Sequence, residues 1–224
     1  MPAYSALIFD LDGTLIDSAP DIAASINAGF AGNGWPAMET AYVELFIGNG
    51  PHRLIRDILE DRGIPHDDAD VERAYQGYCD AYLANPAGST RFYPNVREDL
   101  TTLHEAGIRL GICTNKNHEI TRGVLEQLGL DGLFERAIGA DAVPACKPDP
   151  GHLMAVADGM SLLPGSWAYI GDTNVDRRTA EAAGVPFYLV PWGGSGLVDV
   201  SAEFRLTRLA DLLHRDQVCT GIAR

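Results

Sequence analysis

The chain has 224 residues, 46% of them hydrophobic, enough to bury a full core and to hold one large domain with a smaller one inserted. A formal net charge of −14, with no block of Lys or Arg to offset it, argues against a nucleic-acid backbone or an anionic membrane as partner and favours small molecules. No run approaches the roughly 20 apolar residues that cross a bilayer and no basic segment leads into an apolar one, so a cytoplasmic location is expected. Cys79, Cys113, Cys146 and Cys219 are far apart with no C-x-x-C pair, so four free thiols are expected rather than a disulfide framework or zinc site.

Short apolar runs at 6–9, 109–113, 167–170 and 187–190 read as buried strands. Amphipathic stretches at 120–128, 152–160 and 177–183 lie between the later ones and read as helices. This alternation predicts an α/β protein, a doubly wound parallel sheet with helices on both faces. Between 16 and 86 strand candidates give way to helical periodicity, as in Leu54, Ile55, Ile58 and Leu59. That segment is expected to be a small all-helical domain inserted after the first strand, lying over the sheet, with residues 1–15 and 87–224 forming the core domain. Turn-rich clusters at 32–36 and 85–89 punctuate it, and 217–224 reads as a loose tail.

In such sheets ligands bind beyond the carboxyl ends of the strands, so polar residues directly after an apolar run carry the most information. Asp10-Leu11-Asp12-Gly13-Thr14 follows the first run. Its first carboxylate can attack phosphorus, and its second can protonate a leaving oxygen and then activate water. Alone, the same segment also reads as an Asp-Gly turn with a Thr cap. Thr114 follows the second run and could hydrogen-bond a phosphate oxygen or cap the next helix. Lys147 stands on a proline-braced turn, Cys146-Lys147-Pro148-Asp149-Pro150, and is one of only two lysines, with Lys116, against fifteen arginines. Asp172 and Asp176 follow the run ending at Ile170-Gly171, as a metal ligand and as a group that holds metal-bound waters or orients Lys147. A calcium loop is excluded, because Arg177 and Ala183 occupy the positions that require Gly and Glu. The histidines have no metal-ligand spacing and read as surface or core residues. Converging Asp10, Asp12 and Asp172 would form an oxygen-rich pocket of the type that Mg²⁺ prefers.

The ordered set Asp10-x-Asp12-Gly13-Thr14, Thr114, Lys147 and Gly171-Asp172-x-x-x-Asp176 resembles the four signature motifs of the haloacid dehalogenase superfamily, over nearly the whole chain. The resemblance implies a Mg²⁺-dependent phosphatase with Asp10 as nucleophile and Asp12 as general acid and base, its main-chain carbonyl also offered to the metal. It further implies that Thr114 and Lys147 hold the phosphoryl oxygens, that Asp172 is a metal ligand supported by Asp176, and that the helical insertion is a C1 cap. Dehalogenases of the same fold usually lack the acid at Asp12, and phosphonatases need a cap lysine where 16–86 has none.

A phospho-sugar mutase would use the same two aspartates. A non-catalytic phosphate-binding or sensor module would be expected to have lost one of them. Ser18-Ala19-Pro20-Asp21-Ile22, Ile47-Gly48-Asn49-Gly50 and Cys113-Thr114-Asn115-Lys116 are similar to the phosphoglycolate-phosphatase branch, which implies 2-phosphoglycolate as substrate. Trp192-Gly193-Gly194-Ser195-Gly196 departs from that branch, which commonly has an aromatic soon after the Trp-Gly. Gly48, Asn49 and Gly50 could bring main-chain amides to a small anion with Arg53 supplying charge, or could form an ordinary turn between helices. Asn115 is expected at the phosphate, and Asn115 and Lys116 at the site entrance without catalytic roles. A small phosphorylated metabolite is the expected partner, with the chain a monomer or homodimer.

Overall fold

A computed structural model describes residues 4–194 and 198–214. The apolar runs belong to a five-stranded parallel sheet built from β1 (Ala6–Phe9), β4 (Arg109–Cys113), β5 (Arg136–Ile138), β6 (Trp167–Gly171) and β7 (Phe187–Leu189). The strand order is β5-β4-β1-β6-β7, with β1 central. Strand β5 had no counterpart in the sequence reading, because three residues with an exposed Arg136 carry no run long enough to register.

Successive side chains of a strand point to opposite faces. Leu7 and Phe9 accordingly pack with α5 (Val96–Glu105) and α6 (His118–Gln127), through Val96, Leu100, Ile120 and Val124. Ala6 and Ile8 pack on the other face with α7 (Pro150–Gly159) and α8 (Asn174–Ala183), through Leu153, Val156 and Ala180. Both faces are covered, so the sheet is doubly wound.

The segment after β1 is helical as expected: α1 (Ala19–Gly32), α2 (Thr40–Glu44), α3 (Pro51–Asp61) and α4 (Asp68–Ala84). Leu54, Ile55, Ile58 and Leu59 of α3 are buried, as their spacing required. Strands do not vanish there entirely, because β2 (Ile16–Asp17) pairs antiparallel with β3 (Arg91–Phe92), a two-residue ribbon too short for any periodic signal. The Asp21 carboxylate, near the start of α1, accepts hydrogen bonds from the Ser89 and Thr90 main-chain N–H groups and the Thr90 hydroxyl, at 2.6–3.0 Å. The beginning and end of the helical segment are thereby tied together.

Among the described residues no helix is long and apolar enough to cross a membrane. Cys79, Cys113 and Cys146 are free thiols, while Cys219, the tail at 217–224 and Ser195-Gly196 lie outside the described residues.

His152 on α7 is fully buried, with Nε2 donating to the Ile138 carbonyl at 3.2 Å. Burial, aided by the nearby Lys147 charge, lowers its pKa from 6.5 to about 4. The unfolded imidazole binds a proton near pH 6.5 and the folded one only near 4, so this contribution is complete above about pH 6.5 and is lost as pH falls toward 4, by roughly 3 kcal/mol in total. His152→Gln should therefore lose less stability than the wild type between pH 7 and pH 4.5 in urea unfolding. Equal pH sensitivity in both proteins would contradict a buried neutral imidazole.

Candidate active site

The register puts the functional residues at one level. Phe9 pairs with Ile112 on one side and Ile170 on the other, so Asp10, Thr114 and Asp172 emerge together at the carboxyl edge of three adjacent strands. The following helices supply their own caps. Asn117 accepts from the Ile120 N–H at 3.1 Å and starts α6, which leaves Thr114 and Asn115 for the cleft rather than for capping. Thr173 starts α8 in a capping box with Asp176, so Asp172 is not the cap either.

Lys147, 3% exposed, stands behind Asp10. Its Nζ donates to Asp176 Oδ1 at 2.6 Å and to Tyr169 Oη at 2.9 Å, and lies 2.9 Å from Asp10 Oδ1. That last approach is an ion-pair distance without hydrogen-bond alignment, so Asp10 Oδ1 is buried with no hydrogen bond. Burial opposes the charge on Lys147, but Asp10 and Asp176 outweigh it and raise the ammonium pKa above its ordinary value. Burial likewise opposes ionisation of Asp176, yet Lys147, Thr173 and Tyr169 hold its pKa down.

Asp10 and Asp172 are not so well compensated. Burial raises Asp10 to about 7, with Lys147 only partly offsetting it. Burial and the charges of Asp176 and Asp10 raise Asp172 to about 8, against hydrogen bonds from the Gly194 N–H and the Thr14 hydroxyl, both at 2.8 Å. One oxygen from each of Asp10, Asp172 and Asp176 lies within 4.8 Å of the others. Three acids against one lysine and an all-oxygen donor set together fit a hard divalent cation. Both oxygens of Asp176 are already bonded to Lys147, Tyr169 and Thr173, which makes it a support for the cluster rather than a free ligand.

Asp10 and Asp12 share a cleft with Thr114, Asn115 and Lys116 on the sheet side and Ile47, Gly48, Gly50, Pro51 and Leu54 on the helical side. The Asp12 side chain turns away from the acid cluster, accepting from the Ser18 hydroxyl and from Lys116 Nζ at 3.0 and 3.2 Å.

Several residues are placed differently from expectation. Asn115 gives its two amide protons to the carbonyls of Gly48 and Lys147, each at 3.0 Å, so its side chain has none left for a phosphate in this arrangement and instead links the helical segment to the lysine loop. Arg53 pairs with Asp57 one turn along α3 at 2.6 Å, and neither it nor the exposed Asn49 lines the cleft. Lys116, taken as an entrance residue, is 4% exposed and bonded to Asp12. The loop after β7 was not read as a site element at all. There Trp192 Nε1 donates to the Thr14 carbonyl at 2.9 Å and Gly194 holds Asp172. Two adjacent glycines after the Trp are the one sequence signal there that fits a close approach, and they do not say to which residues.

The sequence pattern of the haloacid dehalogenase-like hydrolases matches residues 7–190. The chain belongs to this family. Among relatives of this hydrolase, a phosphoglycolate phosphatase of Cereibacter sphaeroides is 42% identical over 188 residues, 84% of this chain and 85% of that one. One of Caulobacter vibrioides is 35% identical over 189 residues, 84% of this chain and 80% of that one. The crystal structure of a predicted phosphoglycolate phosphatase from Haemophilus somnus superimposes with a TM-score of 0.84 at 27% identity, covering 96% of this chain and 98% of the other.

Gly13 adopts φ 84°, and a Cβ there would lie 2.3 Å from Asp172 Oδ2. A Cβ on Gly193 would lie 2.2 Å from the Gly13 carbonyl oxygen and 2.6 Å from Asp172 Oδ2. Gly193→Ala must therefore push Asp172 or the Gly13 turn aside. We expect it to cost about 1–3 kcal/mol of stability and on the order of 10- to 100-fold in turnover, measured by thermal melting and phosphate release. Gly132→Ala, whose Cβ would meet nothing within 4 Å, should change neither.

Proposed function

We propose that this hydrolase cleaves phosphomonoesters through an aspartyl-phosphate on Asp10, that its cofactor is Mg²⁺, and that its substrate is a small phosphorylated metabolite, 2-phosphoglycolate. On this reading it is a cytoplasmic enzyme whose helical segment, 16–86, acts as the cap. The observation that carries the proposal is the shared cleft. A buried carboxylate paired with Lys147, Asp10, and a second carboxylate two residues on, Asp12, both face it.

Mg²⁺ would be held by Asp10, the main-chain carbonyl of Asp12 and Asp172, and supplies the charge neutralisation that lets an anionic nucleophile approach an anionic ester. In the first step an Asp10 oxygen bonds to phosphorus while the bond from phosphorus to the ester oxygen breaks, and the Asp12 carboxyl gives that oxygen its proton. In the second, Asp12 takes a proton from water, the water oxygen bonds to phosphorus, and the bond to Asp10 breaks to release phosphate. Lys147 counters charge on Asp10 and the phosphoryl group throughout, with Asp176 and Tyr169 fixing its position. The Thr114 hydroxyl, at the end of β4, is a donor for a phosphoryl oxygen. The relatives named above support glycolate as the leaving group.

The test is phosphate release from a panel of small phosphomonoesters that includes 2-phosphoglycolate, with and without Mg²⁺. Asp10→Asn keeps the shape but cannot form the acyl-phosphate, so turnover should fall by on the order of 1,000-fold or more with an unchanged melting curve. Wild-type turnover in Asp10→Asn would refute the mechanism, activity confined to other esters would refute the substrate, and phosphoryl transfer within a sugar without net release would favour a mutase.

A further inference from the structure

Lys116 is the only cation among the described residues that line the cleft shared by Asp10 and Asp12. The other lysine, Lys147, does not line it and is already committed to Asp176, Tyr169 and Asp10. The helical wall consists of Ile47, Gly48, Gly50, Pro51 and Leu54, with Ile22 and Tyr78 nearby, and carries no positive side chain. Lys116 is not a strand-end surface residue that happens to be near. Its side chain is 1% exposed, and its Nζ donates to both oxygens of Asp12 and to Tyr82 Oη at 2.8 Å while lying 4.2 Å from the Tyr82 ring centroid. Burying a lysine costs several kcal/mol unless anionic and hydrogen-bonding partners are held in place for it.

A leaving group that carries its own negative charge meets Asp10 and Asp12 in this cleft, and both repel it. One place in the cleft wall reverses the sign. We propose that Lys116 is the specificity-determining residue for the leaving group, and that it binds a carboxylate borne directly on the ester carbon. The inference rests on the phosphatase reading given above and names the residue that sets its substrate class.

An exchange of partners follows. Lys116 and Ser18 hold the Asp12 carboxylate away from the acid cluster in this structure. A substrate carboxylate that takes over Lys116 leaves the Asp12 side chain able to turn to the ester oxygen it must protonate. A substrate with a neutral leaving group leaves the Lys116–Asp12 pair in place, so the same lysine that attracts the right ester restrains the acid against the wrong one. Discrimination then arises both from a new attraction and from an old contact that only the correct substrate removes.

The experiment compares kcat/KM for 2-phosphoglycolate and for ethyl phosphate, in which a methyl group replaces the carboxylate, across wild type, Lys116→Gln, Lys116→Met and Lys116→Arg. Loss of one charge-assisted contact should lower the preference for 2-phosphoglycolate on the order of 30-fold in either neutral variant. Inhibition by free glycolate should weaken in parallel, whereas Lys116→Arg should keep part of the preference. Gln and Met differ in polarity, so whichever melts cooperatively is decisive if the other fails to fold. An equal fall on both esters would make Lys116 a general support for Asp12 and overturn the assignment, as would an unchanged ratio. A wild type with no preference for 2-phosphoglycolate would instead overturn the substrate reading itself, a failure separable from the other two.

Discussion

The arrangement depends on one buried positive charge. Lys147 sits inside the protein because Asp176, Tyr169 and Asp10 surround its ammonium group, and those acids tolerate burial because Lys147 is there. Removing either side of such a pair leaves an uncompensated charge in a poor solvent, a loss of about 3–5 kcal/mol. The compensation is also incomplete. Asp176 is held ionised, whereas Asp10 and Asp172 are pushed toward their protonated forms by burial and by the charge of Asp176. A site with this imbalance has a standing demand for further positive charge at the place where Asp10 and Asp172 stand.

The sheet and the caps meet that constraint with few parts. Three parallel strands deliver Asp10, Thr114 and Asp172 to one edge, and the α8 capping box places Asp176 against the lysine while it satisfies the helix end. Asp176 thus performs a local duty and a tertiary one through different oxygens, Oδ2 for Thr173 and Oδ1 for Lys147. Asn115 works similarly across the cleft, because one amide proton holds the carbonyl of Lys147 and the other holds that of Gly48. The position of the loop at 48–50 is therefore linked, through a single side chain, to the loop that carries the lysine.

The strands that deliver chemistry were legible in the sequence because each is a four- or five-residue apolar run ending in a polar residue, and the register then aligns their ends. What lay beyond sequence was everything set by direction rather than position. The spacing of Asp10 and Asp12 puts both at one edge, but only the backbone turn after Phe9 sends Asp12 toward Lys116 and Ser18. Arg53 has the right charge in the right segment, yet Asp57 four residues on captures it on the outer face of α3. The loop at 192–194 was illegible for a different reason: its contributions are an indole N–H and a main-chain N–H, and main-chain donors leave no mark in a sequence. Strands β2, β3 and β5 are two or three residues long, below the length at which alternation can be distinguished from chance.

The two lysines divide the electrostatics in a way that neither arginine nor a surface lysine would allow. An ammonium is a compact charge with three donors that can be shared among oxygens at different angles, whereas a guanidinium prefers a planar, two-pronged partner. Lys147 directs its donors to Asp176 and Tyr169, neither of which lines the cleft. Lys116 directs its donors to Asp12, which lines the cleft, and to the buried Tyr82. In a chain with a net charge of −14 and only two lysines, both lie in this one site. That segregation follows from their partners: each lysine is buried only because a carboxylate at a strand end was already there to receive it.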